Sequence, residues 1–279
     1  MSKATLTKRL EFCASHRYHN PQWDEAKNRE IFGPCNNVNS HGHNYLLEVT
    51  LQGDIDPVTG MIINLYDLKI ILNDILEQFD HKSLNLDTPF FSTRIPTTEN
   101  LALTLWDLLQ KNPNLPSLHT LRLYEDDTLY AELKEDDWEQ RRQAIQQTQP
   151  WVRIARRYQF SAIYFLGNGP GKGHNYDIWI SVKGPVPEET GQVINLPKLD
   201  KLVQEQLLSR LDQQDLSRDP ALSNSVVTDS SLSALALSIL APKFGFPPSL
   251  VHLSISQKEG TLASASFIQH AAPKESQSI

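Results

Sequence analysis

The tetrapeptide Gly42-His43-Asn44-Tyr45 recurs further along the chain as Gly173-His174-Asn175-Tyr176. Two more pairs of segments match at the same constant offset of 131 residues (173 − 42). An offset that stays constant over more than twenty residues indicates a tandem duplication. The other matching segments are residues 53–60 with 184–191, and Ile63-Asn64-Leu65 with Ile194-Asn195-Leu196.

The duplication predicts two copies of one domain, a first copy at residues 1–133 and a second copy at residues 152–270. The segment between them, residues 134–151, is acidic and rich in glutamine, so it has little to bury. We expect it to be a solvated linker or a short surface helix. Residues 271–279 are polar and are predicted to form a frayed tail.

Composition places the chain among globular proteins. Its 279 residues carry a formal charge of −7, with 39% hydrophobic and 21% charged residues. No apolar run approaches the roughly 20 residues that cross a bilayer, and no signal peptide is expected. The mild acidity argues against a nucleic-acid partner. The two cysteines, Cys13 and Cys35, cannot form a disulfide framework, so we expect a reducing, cytoplasmic location.

Periodicity predicts the elements of the first copy. Apolar residues alternate from Leu10 to His16, which indicates a half-buried strand, and the same alternation continues in a second strand that begins near His41. Leucines then recur at helical spacing after Asn64, a plausible N-cap. The predicted buried stripe of that helix consists of Leu65, Leu68, Leu72, Ile75 and Phe79.

A second helix is predicted to begin near Thr97, with Glu99 in its first turn favoured by the helix dipole. Its predicted buried side carries Leu101, Leu105 and Leu108. Residues 121–125 and 128–133 then close the copy as a hairpin. The order ββααββ predicts an α+β unit, an antiparallel four-stranded sheet with two helices on one face.

Three histidines form a candidate metal site. Residues two apart in a strand point the same way, roughly 7 Å apart, so His41 and His43 can aim at one point and His16 can join from the neighbouring strand. Neutral imidazole suits Zn²⁺, and three protein ligands leave a fourth position open for chemistry. The spacing equally allows histidines that are solvent-facing or packed in the core.

Other candidate residues each have two interpretations. Cys35 lies in a polar loop just before His41. It is either a fourth zinc ligand or a base beside the metal. Cys13, in the middle of the first strand, is expected only to pack against its neighbours. Asp80-His81 has two interpretations: the histidine is stabilised by the helix dipole at the C-terminus of the first helix, or the two residues form an acid/base pair. Glu125 is expected to point inward, where it needs N–H donors from a heterocyclic ligand or from an arginine.

Together these residues resemble those of the 6-pyruvoyltetrahydropterin synthase family, whose relatives include 6-carboxytetrahydropterin synthases. The resemblance covers essentially the whole first copy, in order, and is specific in combination. The motifs that carry it are Phe12-Cys13-Ala14-Ser15-His16-Arg17, residues 35–45, Asp56-Pro57-Val58-Thr59-Gly60-Met61, Asp80-His81-Lys82, Thr97-Thr98-Glu99-Asn100 and Tyr124-Glu125.

The resemblance implies tandem tunnelling (T-)folds and a zinc-dependent lyase that acts on 7,8-dihydroneopterin triphosphate. It implies zinc on His16, His41 and His43, with substrate oxygens completing the coordination. Triphosphate would be eliminated and 6-pyruvoyltetrahydropterin formed. The resemblance further implies Cys35 as the proton-abstracting base with Asp80 and His81, and Glu125 as the anchor of the pterin ring, helped by Thr97, Thr98 and Glu99.

Two other functions stay open at this point. A 6-carboxytetrahydropterin synthase uses the same substrate but also releases acetaldehyde, on the route to deazaguanines such as queuosine. A non-catalytic pterin-binding or scaffold protein would have lost activity in both copies, which the complete residue set of the first copy argues against.

The second copy departs from the pattern at the candidate site. His16 aligns with Tyr164, His41 with Lys172, and the loop that holds Cys35 is largely deleted. Only His174 keeps a ligand identity, and one histidine cannot hold catalytic zinc. We therefore predict a catalytically inactive second copy. Two further positions change, since Asp80-His81 aligns with Asp212-Gln213 and Glu125 aligns with Gln257.

The resemblance also implies a homo-oligomer. Single-domain relatives form three-fold barrels that stack in pairs, and a three-domain ring cannot alternate first and second copies. If three-fold barrels are kept, three chains would assemble, with all first copies in one barrel and all second copies in the other.

Overall fold

A computed structural model of the chain separates into two compact units. Unit 1 comprises Met1–Arg157 with Lys183–Leu202, and unit 2 comprises Tyr158–Val182 with Val203–Ile279. Residues 152–157 and 183–202 of the predicted second copy therefore belong to unit 1. The predicted linker lies largely, and the predicted tail wholly, outside the described residues. The structure describes residues 3–136, 151–165, 167, 169–222, 226–244, 249–257 and 262–265.

Unit 1 is built on an antiparallel sheet in which β1 pairs with β2, β2 with β4, and β4 with β5. A two-residue strand, β3, adds to β1 in parallel, so the sheet is mixed. The elements of this part are β1 (Lys3–His16), α1 (Glu25–Phe32), β2 (His41–Asp54), α2 (Leu65–Leu76), β3 (Lys82–Ser83), α3 (Thr98–Gln110), β4 (Ser117–Asp126) and β5 (Leu129–Lys134).

The predicted strands and helices are confirmed, with small shifts in the helices. Asn64 caps α2 by accepting a hydrogen bond from the backbone N–H of Tyr66, and Thr97 caps α3 in the same way. Leu65 of the predicted stripe is 52% exposed. In α3, Leu101 and Leu105 are fully buried as predicted, whereas Leu108 is only half-buried and Leu109 is buried in its place.

Helix α1 was not predicted, because its eight residues are mostly polar and bury only Asn28 and Phe32. Asp24 caps it, and the ring of Phe32 packs against Tyr18 with centroids 6.0 Å apart. A 3₁₀ turn, Gly33–Asn36, follows directly and carries Cys35. This short helix therefore holds the candidate cysteine loop against the sheet.

Unit 1 also contains residues from beyond the first copy. Residues 153–156 of β6 (Trp151–Phe165) pair with β5 in antiparallel register. The Lys183–Leu202 segment contains the end of β7 (Gly171–Pro185), a turn, and most of α4 (Leu196–Val203). Asn195 donates through Nδ2 to the carbonyl of Ile31, 2.8 Å away, which ties this segment to α1.

Unit 2 contains the other parts of β6 and β7 together with helix α5 (Asp229–Leu240) and the antiparallel pair β8 (Ser249–Gln257) and β9 (Leu262–Ala265). After α4 the helical path continues as a π-helical turn, Gln204–Leu208, and a last α-helical turn, Ser209–Leu211. Within the described residues, every helix is too short or too polar to span a bilayer.

Candidate metal centre and active site

The three predicted ligands converge in unit 1. In the β1–β2 register His16 lies opposite His41, and His43 lies two residues further along β2, on the same face. Their ring centroids are 4.6 Å (His16–His41), 4.9 Å (His16–His43) and 4.8 Å (His41–His43) apart. Antiparallel pairing thus gathers three imidazoles from two strands.

His16 is held in a fixed orientation. It is fully buried, and its Nδ1 lies 2.9 Å from the hydroxyl of Tyr45, which leaves Nε2 directed at His41 Nε2, 3.1 Å away. Burial lowers the pKa of His16 well below its usual value, and the nearby His43 and His41 lower it further. The ring is therefore neutral at physiological pH, the form that binds a metal.

The surroundings of His43 Nε2 show whether the site suits a metal ion. Its Nε2 is buried and has no hydrogen-bond partner within the part of the chain that the structure describes. The nearest acidic atom, Glu125 Oε1, is 3.5 Å away. A buried ring nitrogen without a partner is costly unless another group satisfies it. Three converging imidazoles and a neighbouring carboxylate fit a divalent zinc ion.

Glu125 is buried, as predicted, and its partners are hydroxyls rather than an arginine. The hydroxyl of Tyr18 donates to Glu125 Oε2 at 2.9 Å, and Thr98 Oγ1 donates to the same oxygen. The other oxygen, Oε1, is 3.5 Å from His43 Nε2. Glu125, His16 and His43 each offer one ligand atom within 4.8 Å of the others, so the carboxylate lies at the histidine cluster.

Cys35 lies at the same cluster. One ligand atom each from Cys35, His16 and His41 fall within 4.8 Å of one another. Burial raises the pKa of the Cys35 thiol to about 12, and the negative charge of Glu125 adds to the rise. In the protein alone the thiol is therefore protonated at neutral pH. Both interpretations of Cys35, direct ligand and base beside the metal, remain compatible with its position.

The predicted acid/base pair lies elsewhere in unit 1. Asp80 Oδ2 is 2.9 Å from His81 Nδ1, and Asp80 Oδ1 accepts from the backbone N–H of Cys13. That N–H donor is the main reason that the pKa of Asp80 is lowered. Cys13 faces away from the His16 side of β1, and the His81 side chain is 80% exposed. The structure thus joins Asp80 and His81 to Cys13 and not to the three histidines.

The Thr97–Glu99 motif forms the start of α3, and all three side chains are buried. Burial raises the pKa of Glu99 to about 7. Glu99 Oε1 accepts from the backbone N–H of Val193, 3.0 Å away, in the Lys183–Leu202 segment of unit 1. Sequence reasoning missed Val193 because the duplication assigned it to the other copy, and no local signal in the sequence links it to Glu99.

The structure supports the alignment of the second copy. Asp212 accepts from the backbone N–H of Ser161, as Asp80 does from Cys13, and Gln213 has a φ of 58° where His81 has 57°. Tyr164 takes the place of His16, and its ring stacks on His174 with centroids 5.9 Å apart. Among the described residues of unit 2, no group of three metal-ligating side chains comes together.

Comparisons with known proteins agree with the duplication. The sequence profile of the 6-pyruvoyl tetrahydropterin synthase family matches residues 5–136 and again residues 153–266. Human 6-pyruvoyl tetrahydrobiopterin synthase is 44% identical over 126 residues, covering 45% of this chain and 87% of that protein. The putative 6-carboxy-5,6,7,8-tetrahydropterin synthase of Archaeoglobus fulgidus is 34% identical over 95 residues, covering 34% of this chain and 75% of that protein.

Among solved structures, 6-pyruvoyl tetrahydropterin synthase of Caenorhabditis elegans is 37% identical and covers 46% of this chain and 91% of its own, with a TM-score of 0.43. The two profile matches confirm the tandem duplication and, with it, the tandem T-fold predicted from the sequence. The chain belongs to the 6-pyruvoyl tetrahydropterin synthase family.

Proposed function

We propose that the first copy is a zinc-dependent lyase that converts 7,8-dihydroneopterin triphosphate to 6-pyruvoyltetrahydropterin and eliminates triphosphate. The observation that carries this proposal is the convergence of His16, His41 and His43, with the buried Nε2 of His43 left without a partner among the described residues. Family membership agrees with a pterin phosphate as substrate.

The histidines would hold the ion in a fixed frame, since Tyr45 and burial set the orientation and neutral form of His16. Zinc bound there supplies Lewis-acid polarisation of the oxygens on the substrate side chain, which makes the adjacent C–H and O–H protons more acidic. Tyr18 and Thr98 hold the Glu125 carboxylate beside this point and keep its Oε1 facing the site.

Cys35 is the proposed base, because its sulfur lies at the histidine cluster where the reacting side chain would bind. Asp80 and His81 are the proposed companion acid/base pair: the carboxylate holds Nδ1 of the exposed imidazole and leaves Nε2 free to carry a proton. Because this pair lies with Cys13 in unit 1, it acts on these histidines only if assembly brings the pair of another chain to them.

The pterin ring would bind between the two buried carboxylates. Glu125 and Glu99 offer acceptors to the ring N–H groups, and Thr97 and Thr98 fix the start of α3 from which Glu99 projects. A substrate N–H group would also hold the Glu99 carboxylate in its ionised form, since hydrogen bonds to the charged form lower a pKa.

A second candidate is 6-carboxytetrahydropterin synthase, favoured by the likeness to the putative Archaeoglobus enzyme of that name. Both reactions release triphosphate, but only the second also releases acetaldehyde. The test is to incubate zinc-loaded protein with 7,8-dihydroneopterin triphosphate and measure both products, with Cys35→Ala as control. Triphosphate without acetaldehyde supports the pyruvoyl product. Equal inertness of wild type and variant would favour the non-catalytic binding protein.

We also propose a homo-oligomer of three chains in the cytoplasm. The exposed side chains of Val58, Met61 and Tyr66 on and beside the residue 53–64 turn form an apolar surface for a further copy. The edge of β5 is already paired with β6 of the same chain. The proposed arrangement, with all first copies in one barrel and all second copies in the other, has to accommodate this pairing.

A further inference from the structure

The turn of the second copy, residues 184–195, lies against the start of α3 in unit 1. Thr97 Oγ1 donates to the carbonyl of Gly191 at 2.6 Å, and the backbone N–H of Val193 donates to Glu99 at 3.0 Å. On the same turn, the carbonyl of Glu189 accepts from Asn20 Nδ2 at 2.9 Å. Residues of the inactive copy therefore form a wall beside the predicted substrate-binding residues of the first copy.

The fit at Gly191 shows how close this approach is. A Cβ there would lie 2.6 Å from Asn100 Nδ2 and 3.1 Å from Thr97 Oγ1. Gly60 is the matching residue of the first copy and has nearly the same φ, 70° against 68°, yet a Cβ at Gly60 would meet nothing within 4 Å. Both Gly60 and Gly191 therefore have a positive φ, but only Gly191, in the second copy, is in close contact with neighbouring side chains.

Gln192 lies between these two contact points. Its side chain is only 5% exposed, and its Oε1 is buried without a hydrogen-bond partner in the described parts of the chain. The matching residue of the first copy, Met61, is 42% exposed. Buried polar atoms in folded proteins nearly always have a partner, so an unpaired amide oxygen next to a binding site indicates a ligand donor.

We propose that Gln192 is a substrate-binding residue, which accepts a hydrogen bond from a ring N–H of the pterin through Oε1 and so contributes a part of the second copy to the site of the first. This inference rests on the proposed function and adds a binding residue to it.

The chemistry of the ring explains why a further acceptor is useful. The 2-amino-4-oxopyrimidine ring of a reduced pterin carries N–H donors on the amino group and on ring nitrogens. One carboxylate oxygen cannot accept hydrogen bonds from all of them. Glu99 Oε1 is already bonded to Val193 N–H. Burial raises the pKa of Glu99 to about 7 and the charge of Glu125 adds to the rise, so a third carboxylate close by would be disfavoured. A neutral amide oxygen supplies the acceptor without added charge.

The experiment compares three variants in the full chain loaded with zinc. Gln192→Met removes the acceptor at similar volume, Gln192→Glu keeps an acceptor oxygen, and Gln110→Met makes the same substitution at an exposed glutamine as the matched control. The measurements are KM and kcat for triphosphate release, dissociation constants for 7,8-dihydroneopterin by fluorescence, zinc content and the thermal midpoint.

We expect Gln192→Met to raise KM and the dissociation constant about tenfold, the size of one net hydrogen bond. Its kcat should stay within about twofold, with zinc content unchanged. Gln192→Glu keeps an acceptor but adds a charge, so it should bind the pterin better than Gln192→Met and less well than wild type. Gln110→Met should match wild type. Equal pterin binding by wild type and a folded Gln192→Met protein would overturn the proposal, as would a wild type that binds no pterin. Pterin binding without triphosphate release would instead overturn only the proposed reaction.

Discussion

The turns at residues 53–64 and 184–195 carry matching sequences but lie in opposite surroundings. Both close with the same backbone bond, from Gly60 N–H to Asp56 in the first and from Gly191 N–H to Pro187 in the second. The first turn is exposed, with Val58 91% accessible, whereas the second is packed against Thr97 and Glu99. The repeat fixes the local conformation of the turn, and tertiary partners decide what each turn does.

The same contrast holds for the candidate site. Equivalent strand positions carry three imidazoles in the first copy, but Tyr164, Lys172 and His174 in the second. The second copy has lost the ligand set while its turn takes part in the first copy's surroundings. Loss of the ligand set in one copy is therefore compatible with a structural reason for keeping that copy.

The largest difference is expected between removing a predicted zinc ligand of the first copy and removing its counterpart in the second copy. His43→Ala should lower zinc affinity by at least about 100-fold and abolish triphosphate release, because two imidazoles remain. His174→Ala should change neither, since Tyr164 and Lys172 leave it without co-ligands. Chelator competition and a triphosphate assay measure both. Equal zinc binding by the two variants would mean that the histidines do not hold the ion.

The two cysteines provide the next comparison. Cys35→Ala should lower turnover by about 10² to 10⁴-fold, the range for a general base, with zinc still bound. Cys13→Ala should have a much smaller effect, because Asp80 bonds to the backbone of Cys13 and not to its sulfur. Zinc analysis beside the assay separates the two roles of Cys35. Loss of zinc and unfolding in Cys35→Ala would identify a direct, structural ligand instead.

Glu99 should make the metal-free protein less stable as pH rises. Its folded pKa of about 7 lies above the usual value of 4.5 for a glutamate, so its protonated form is favoured in the folded state. The stability is fully present below about pH 4.5 and is lost as pH rises through about 7, by roughly 3 kcal/mol.

Glu99→Gln removes the titrating group and should flatten this part of the pH profile of unfolding free energy. Denaturant titrations of both proteins from pH 5 to 8 measure the difference. Glu77→Gln, at the exposed end of α2, serves as a control. If the unfolding free energies of wild type and Glu99→Gln changed with pH in parallel, Glu99 would not have a raised pKa in the folded protein.

The matched glycines test the packing of the two turns. Alanine at either position meets a positive φ, which costs about 1 kcal/mol. Gly191→Ala must also displace Asn100 or Thr97, so it should cost about 2 kcal/mol more than Gly60→Ala. Chemical denaturation measures both values. The same loss for both variants would show that the second turn is not closely packed.

The smallest difference is expected at the two matched asparagines. Asn64 and Asn195 each accept from a helix N–H, of Tyr66 and Lys198 respectively, so alanine at either costs about 1 kcal/mol. Asn195 also donates to the carbonyl of Ile31, which should add about 1 kcal/mol to the loss in Asn195→Ala. Asn195→Asp, which keeps only the acceptor, should isolate this second bond. Identical losses for the two alanine variants would leave that bond without a measurable role.

Short-range patterns were enough to predict much of the fold. Alternating apolar residues in β1 and β2 and the caps Asn64 and Thr97 are local signals, since strand period and capping depend on neighbouring residues. Helix α1 was not predicted because a short polar helix has no such pattern. Its stability depends on Phe32 packing against Tyr18, a contact between residues 14 positions apart.

The sequence by itself determined the duplication, the strand face that carries the three histidines, and the loss of that set in the second copy. Each is a property of residue order and of the two-residue period of a strand. Only the tertiary structure decided that Glu125 bonds to Tyr18 and Thr98, that Asp80 and His81 lie with Cys13, and that the second turn reaches Glu99. These contacts join residues far apart in the chain, and no local periodicity encodes which distant groups meet.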